Sequence, residues 1–370
     1  MAMKRFLTIS ILAAAVILVS CVNTIKYEYD LNDGKITVLS QLSTADTLHS
    51  VFLSLSYPDR IDSLSGATVS CYVNGTLHRA AQAPTEYYES YDWETMEPIL
   101  IPMHSRYTEY RFKADIKPGD KVRIVASKDG DEAWAEIEVP APGVIVSMDT
   151  STVVKTFVWQ DLDGAETYEQ EFLEFTVRLA DVKGSDSYFT LDGDISTFTK
   201  LTSEDSGKNS EEFAGPDRLN YETFHDLILE DGYSSGLGNL FEDLMPVNAM
   251  HCFSDKMFRD GEATVKLYFP SYDFRVYPYY YDADKIEVEK TFRLRLKSID
   301  HSFYNYLRAL NNMLCYGFEV EPIIEPTMLP NNVNGGMGIV TVAAESFLEL
   351  HFEKVVYRRE DFIYYGYESE

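Results

Sequence analysis

Basic residues are scarce in this chain: 32 Lys and Arg stand against 60 Asp and Glu in 370 residues, a formal charge of −28. Neutralising phosphates needs a basic face, so the balance argues against nucleic-acid binding. It argues equally against loose electrostatic attachment to an anionic membrane. Cysteine is sparse too, with four in all, and no Cys/His pattern has zinc spacing. No HExxH helix occurs, and the seven histidines are dispersed. Beyond residue 20 no run is long and apolar enough to span a bilayer. No repeat of solenoid or propeller period is present. What remains is a globular composition, 45% hydrophobic and 25% charged, of a length that predicts about two domains.

The one long apolar run opens the chain. Lys4 and Arg5 precede Phe6 to Val19, and the run ends in Leu18-Val19-Ser20-Cys21. A short basic region followed by an apolar stretch of this length reads as a signal peptide over residues 1–20. Its end resembles the lipobox of bacterial lipoproteins, which predicts cleavage before Cys21 and lipidation of its sulfur and amine. Several acyl chains anchor stably, because each buried methylene contributes ~0.8 kcal/mol. Val22 stands where an Asp would favour the inner membrane, so the outer membrane is expected, with the face left open. Without Lys4 and Arg5 the mature chain carries 30 bases against 60 acids, which favours solubility and repels anionic surfaces.

Residues 21–34 read as a tether. Six short strands are then expected at Lys35–Leu42, Ser50–Tyr57, Ala67–Asn74, Arg106–Asp115, Lys121–Ser127 and Glu132–Val139, from β-branched and aromatic residues in period-two stretches. Asn74-Gly75 is a two-residue hairpin signal. Short strands with regular turns predict an Ig-like β-sandwich over 35–139. Pro140-Ala-Pro-Gly143 reads as the linker. Residues 144–370 form a second mainly-β domain with two inserted helices, at Asp217–Glu230 and Asp300–Leu314. The second helix places Phe303, Leu307, Leu310 and Leu314 on one face, with Asp300 or Ser302 as its cap. Thr202–Gly215 reads as a polar loop. Cys71 alternates with Val69 and Val73 as a small core residue, while Cys252 and Cys315 are available for a disulfide.

Catalytic patterns are weak. Gly232-Tyr-Ser-Ser-Gly236 matches a nucleophile elbow around Ser234 but lacks the strand-turn-helix context. Asp161-Leu-Asp163 and Asp192-Gly-Asp194 offer oxygens to calcium without EF-hand spacing. Neither a metal nor a cofactor is expected. The unusual feature is aromatic: 26 Tyr, 21 Phe and 3 Trp. Tyr88, Tyr91 and Trp93 lie in the insertion Glu86–Met103, and Tyr279, Tyr280 and Tyr281 follow Pro278. Consecutive aromatics cannot all face a core, so these six are candidate contacts for a ligand or partner.

The glycines and asparagines near the end carry a further signal. In Glu325-Pro-Thr-Met-Leu-Pro-Asn-Asn-Val-Asn-Gly-Gly-Met-Gly-Ile339, Gly335, Gly336 and Gly338 permit close backbone approach. Two roles are open, a tight loop entering a strand and packed on the Asp300–Leu314 helix, or a cradle of amides for an anion. A phosphate loop would need Lys-Ser/Thr after the glycines, which is absent. Together with the lipobox, Ser65-Gly-Ala-Thr-Val69, Val139-Pro-Ala-Pro142 and Ser302-Phe-Tyr-Asn-Tyr-Leu307, this tail resembles a family of Bacteroidota outer-membrane lipoproteins built on a domain of unknown function. The resemblance covers most of Ile36 to Phe352. It implies a non-enzymatic accessory or ligand-binding partner of a TonB-dependent nutrient transporter, with no catalytic residues to carry over. A surface adhesion or structural module is the alternative, and an envelope-polymer hydrolase the third reading.

Lipidation is testable directly. Cys21→Ser is expected to move the protein from the membrane to the soluble fraction of lysed cells. A variant that stays membrane-bound and migrates on a gel like the parent rules the anchor out.

Overall fold

A computed structural model of the chain describes residues 34–57, 59–91, 97–161, 164–181, 186–203, 208–224, 226–229, 248–276, 283–315 and 329–358. The first half supplies β1 (Lys35–Ser43), β2 (Leu48–Ser56), β3 (Ile61–Ser63), β4 (Thr68–Val73), β5 (Thr76–Arg79), β6 (Ala81–Gln82), β7 (Tyr87–Tyr91), β8 (Pro98–Pro102), β9 (Thr108–Lys113), β10 (Lys121–Lys128) and β11 (Asp131–Glu138). The second supplies β12 (Val144–Asp161), β13 (Gly164–Ala180), β14 (Tyr188–Ser203), β15 (Lys208–Leu219), β16 (Cys252–Ser254), β17 (Glu262–Pro270), β18 (Lys285–Ile299), the helix α1 (His301–Cys315), β19 (Met337–His351) and β20 (Val355–Arg358). The protein is mainly β, in several sheets, and among the described residues no sheet closes into a barrel. Among the described residues no helix is long and apolar enough to cross a membrane.

The largest sheet runs β15-β14-β18-β19-β1-β2-β9-β6, with β16, β20 and β3 paired at its flanks. Its β19-β1-β2-β9 end faces the sheet β11-β10-β4-β5, and the two bury one cluster containing Val38, Val51, Ile124 and Val340. Its β14-β18 end faces the sheet β12-β13-β17 over a second cluster, rich in Phe175, Phe189, Phe269 and Phe292. The alternation of strand side chains explains both layers. Along β10, Val122, Ile124 and Ala126 point inward between half-exposed neighbours. Along β18, Phe292, Leu294 and Leu296 point inward between Arg293, Arg295 and Lys297.

β19 belongs to both ends. Residues Thr37–Ser43 of β1 pair in parallel with Met337–Ala343, and from Ala344 onward β19 pairs antiparallel with β18. The Ig-like reading of 35–139 did not foresee this strand, which sits more than 290 residues from its partner and supplies Val340, Val342 and Ala344 to the first core. The break at Pro140–Gly143 is thus a break in the local pattern of strands but not in the sheet. Nor does Gly143 hang free: its N–H donates to Ser298 Oγ at 2.8 Å in a buried site. A Cβ there would meet the Phe189 ring at 2.7 Å.

The tail motif makes this seam. The Trp134 and Asn334 backbones exchange two hydrogen bonds, at 2.9 and 2.7 Å. A Cβ on Gly335 would lie 2.4 Å from the Glu132 carbonyl, on Gly336 2.3 Å from that of Ile36, and on Gly338 2.1 Å from that of Val38. Asn332 closes the loop on itself, donating from Nδ2 to the Val340 carbonyl and accepting from the Val340 N–H. The loop therefore enters a strand, as one of the two expected roles requires: its glycines lie against β11 and β1, and Ile339 at the end of the motif packs with the helix. Of the two readings the anion cradle does not fit, since the chain's own backbone occupies the space beside these glycines.

The helix follows the sequence closely. Asp300 caps α1, its Oδ1 accepting from the N–H groups of Ser302 and Phe303, and its Oδ2 accepting from Thr341 Oγ1 on β19. Phe303, Tyr304 and Leu307 pack on Ile339 and Ala343, the face of β19 opposite the first core. Two expectations are corrected. Thr202–Gly215 is strand in its described residues, which belong to β14 and β15 and pair antiparallel. Asp217–Glu230 is not a helix through its described residues, because Asp217–Leu219 complete β15 and Glu222 forms a backbone bridge with Tyr268. Buried Leu219, Tyr221 and Leu229 anchor this segment as extended chain and turns, so tertiary burial overrides helix propensity. Asn74-Gly75 takes positive φ at both residues, as its turn demands.

The seam makes a sharp forecast. Gly338 has φ +115° and no room for a side chain, so Gly338→Ala should destabilise the whole protein by about 3 kcal/mol or more. Urea denaturation followed by tryptophan fluorescence checks it. A loss under about 0.5 kcal/mol, the range of ordinary surface changes, would reject the seam as a structural requirement.

Candidate functional site

The described residues of the aromatic insertion form a two-stranded sheet of their own, β7 with β8, which among the described residues pairs with no other strand. Registers Tyr87↔Pro102, Glu89↔Leu100 and Tyr91↔Pro98 place these side chains on one face, and Tyr88↔Ile101 and Ser90↔Ile99 on the other. Tyr87, Tyr91 and Leu100 are 58%, 59% and 66% exposed. Tyr88 is exposed as well, on the opposite face. The structure therefore exposes both described members of the expected cluster but does not bring them together. Tyr87 and Leu100 join Tyr91 instead, and only the pairing register shows this. Trp93, Tyr279, Tyr280 and Tyr281 lie outside the described residues, as do Cys21 and Ser234. Prolines at both ends of β8 offer no N–H, which keeps this exposed hairpin from recruiting a further strand.

At the base of the hairpin is a cleft of about 350 Å³, walled by Tyr87, Pro102, Tyr107 and the ends of β3, β6 and β9. Its floor holds one charged knot. Arg111 donates from Nε to Glu109 Oε1 and from Nη2 to Glu109 Oε2, both at 2.7 Å, and reaches Glu86 at 3.2 Å. Ser50 Oγ donates to the same Glu109 at 2.6 Å. Burial pushes the Glu109 carboxyl up, but the bonds from Arg111 and Ser50 outweigh it and hold the group below its ordinary range.

A second concentration of charge lies on the largest sheet. Asp192 meets Arg218 at 2.8 Å and Lys297 at 3.1 Å, and Asp194 meets Arg295 at 2.9 Å. These oxygens, considered above for calcium, are taken up by cations of the same sheet. Among the described residues no group of three or more His, Cys, Asp or Glu is arranged to hold a metal ion. Beside Asp192, His251 is buried and stacks on Tyr221 with ring centroids 4.0 Å apart. Its Nδ1 is buried with no hydrogen-bond partner among the described residues. Cys252, next in sequence, is buried against the Asn248–Asn311 network. The Cys315 side chain lies outside the described residues.

Burial lowers the His251 pKa from 6.5 to about 4. Above pH 6.5 the imidazole is neutral in both folded and unfolded chains. Between 6.5 and about 4 only the unfolded chain takes up the proton, so stability falls as pH falls through that window. The contribution is on the order of 3 kcal/mol for a shift of this size. His251→Asn keeps a residue that tolerates the positive φ found here, and should flatten the decline of melting temperature between pH 6.5 and 4. Parallel curves for variant and parent would exclude His251 as the titrating group.

Three comparisons bear on kinship. No curated protein matches the chain. Among solved structures, a DUF4785 family protein from Legionella pneumophila is similar over 71% of this chain and 52% of that one, so the chain spans about half of that protein's length. At 7% identity and a TM-score of 0.21, that likeness carries no argument. A family model described as a domain of unknown function, DUF4249, matches residues 22–347. That span takes in β1 to β18, the helix and most of β19, including the glycine seam that joins the two ends of the fold. The chain belongs to the DUF4249 family.

Proposed function

We propose that this protein is a Bacteroidota outer-membrane lipoprotein, anchored through Cys21, that serves as a non-enzymatic accessory or ligand-binding partner of a TonB-dependent nutrient transporter. The lipobox and the sequence resemblance support the location and the partner. The observation that carries a docking role is the free hairpin β7–β8. A hairpin that pairs with no other strand among the described residues contributes little to the cores, yet it holds Tyr87, Tyr91 and Leu100 in the open on one face. Tyrosine suits such contacts because it buries a large apolar body at small cost in rotamer freedom. The acidic surface suits a protein that must stay off anionic headgroups while held near them by lipid.

A tagged copy expressed in its own bacterium, extracted in mild detergent, should bring down an outer-membrane transporter of the TonB-dependent type. Tyr91→Ala with Leu100→Ala should weaken that association by about 2 kcal/mol, or roughly thirtyfold. The melting temperature should hold, since exposed side chains change stability by only about 0.5 kcal/mol. Recovery of the transporter unchanged by the double variant would overturn the hairpin as the contact. Absence of any such transporter from the parent preparation would overturn the partner.

A further inference from the structure

The cleft under the hairpin has a chemistry of its own. At about 350 Å³ it falls within the ~300–1,000 Å³ of small-ligand sites. Its two carboxylates, Glu86 and Glu109, are both engaged by Arg111, which leaves one negative charge over. The rest of the lining is mostly polar, with Gln82 and His104 among hydroxyl residues, interrupted by Ala83, Pro84 and Pro102. Ser63, Ser65, Thr85 and Ser105 are among the lining residues, and each hydroxyl can donate one hydrogen bond and accept two. The rings of Tyr87 and Tyr107 border the same space. The larger groove on the outer face of the sheet β11-β10-β4-β5 differs. There Lys121 and Arg123 stand beside Glu132 and Glu136, a mixture of signs that selects no one ligand class.

Hydroxyls that both donate and accept, next to an aromatic face, match a molecule whose own hydroxyls do the same and whose ring carries a C–H face. We propose that this cleft binds a neutral saccharide of one or two rings. The hydroxyl row exchanges hydrogen bonds with the sugar's hydroxyls, and a pyranose face lies against Tyr107 or Tyr87. An anion is disfavoured because Arg111 is already committed, and a strongly apolar ligand would strand the hydroxyls without partners. The inference takes up the ligand-holding half of the proposed function, while its test needs no transporter.

The test is calorimetric titration of the purified full chain in detergent with maltose, cellobiose and N,N′-diacetylchitobiose. Saturable binding of at least one is expected. Tyr107→Ala should weaken it about tenfold, the loss that corresponds to ~1.4 kcal/mol, and Tyr107→Phe should restore it. Ser105→Trp, placed at an exposed bend on the cleft wall, should fill the space and abolish binding without lowering the melting temperature. Tyr91→Ala with Leu100→Ala should leave sugar binding intact, because neither residue lines the cleft. Sugar binding without transporter recovery would sink the transporter reading alone. No saturable heat from any of the three sugars, or undiminished binding in Ser105→Trp, would overturn the saccharide site.

Discussion

The backbone at residues 335–338 approaches the carbonyls of Glu132, Ile36 and Val38 more closely than any side chain permits, and that approach fixes the course of β19. Everything else in the fold is arranged around the strand so placed. One side of its first half completes a hydrophobic core with the β11-β10-β4-β5 sheet. The other side receives α1. Its second half then hands over to β18 and the aromatic core beyond. A glycine here is a requirement of distance first and of φ second, since Gly336 has no positive φ and still has no room for a Cβ.

This explains which parts of the fold were legible in the sequence. Strands such as β10 and β18 bury alternate residues and expose the rest, so their identity is written in a period of two. The Asp300 cap and the apolar stripe of α1 are equally local. β15 is different. It is an edge strand in which, among the residues whose burial is described, only the last, Leu219, is buried, and a polar strand leaves no periodic trace, so Thr202–Gly215 reads as a loop. The pairing of β1 with β19 has no local trace either. The glycines announced that something would come close, and nothing in their neighbourhood said what.

The candidate surfaces divide along the same line. Exposure of Tyr88 and Tyr91 followed from their composition and setting, but which side chains share a face depends on the register of β7 with β8. The cleft beneath depends on still more: β3, β6 and β9 must converge before its hydroxyls face one space. No sequence interval contains that set. Charge behaves likewise. Asp192-Gly-Asp194 offers oxygens for calcium when read locally, whereas Asp192 and Asp194, like Glu109, each have a cation within 3 Å. Bases are few in this chain, and the sheets direct them to the carboxylates that burial would otherwise penalise.

The place of β1 has a mechanical consequence. It lies between β2, paired antiparallel over Lys35–Leu39, and β19, paired in parallel over Thr37–Ser43. A pull on the chain from its N-terminal side runs along the strand axis, so both ladders are loaded in shear and their hydrogen bonds share the force. An edge strand peeled from its end gives way one bond at a time. Because β19 pairs with β18 from Ala344 onward, the load does not stop at the first core but is passed into the second. Tension applied at residue 34 is resisted by the whole sheet.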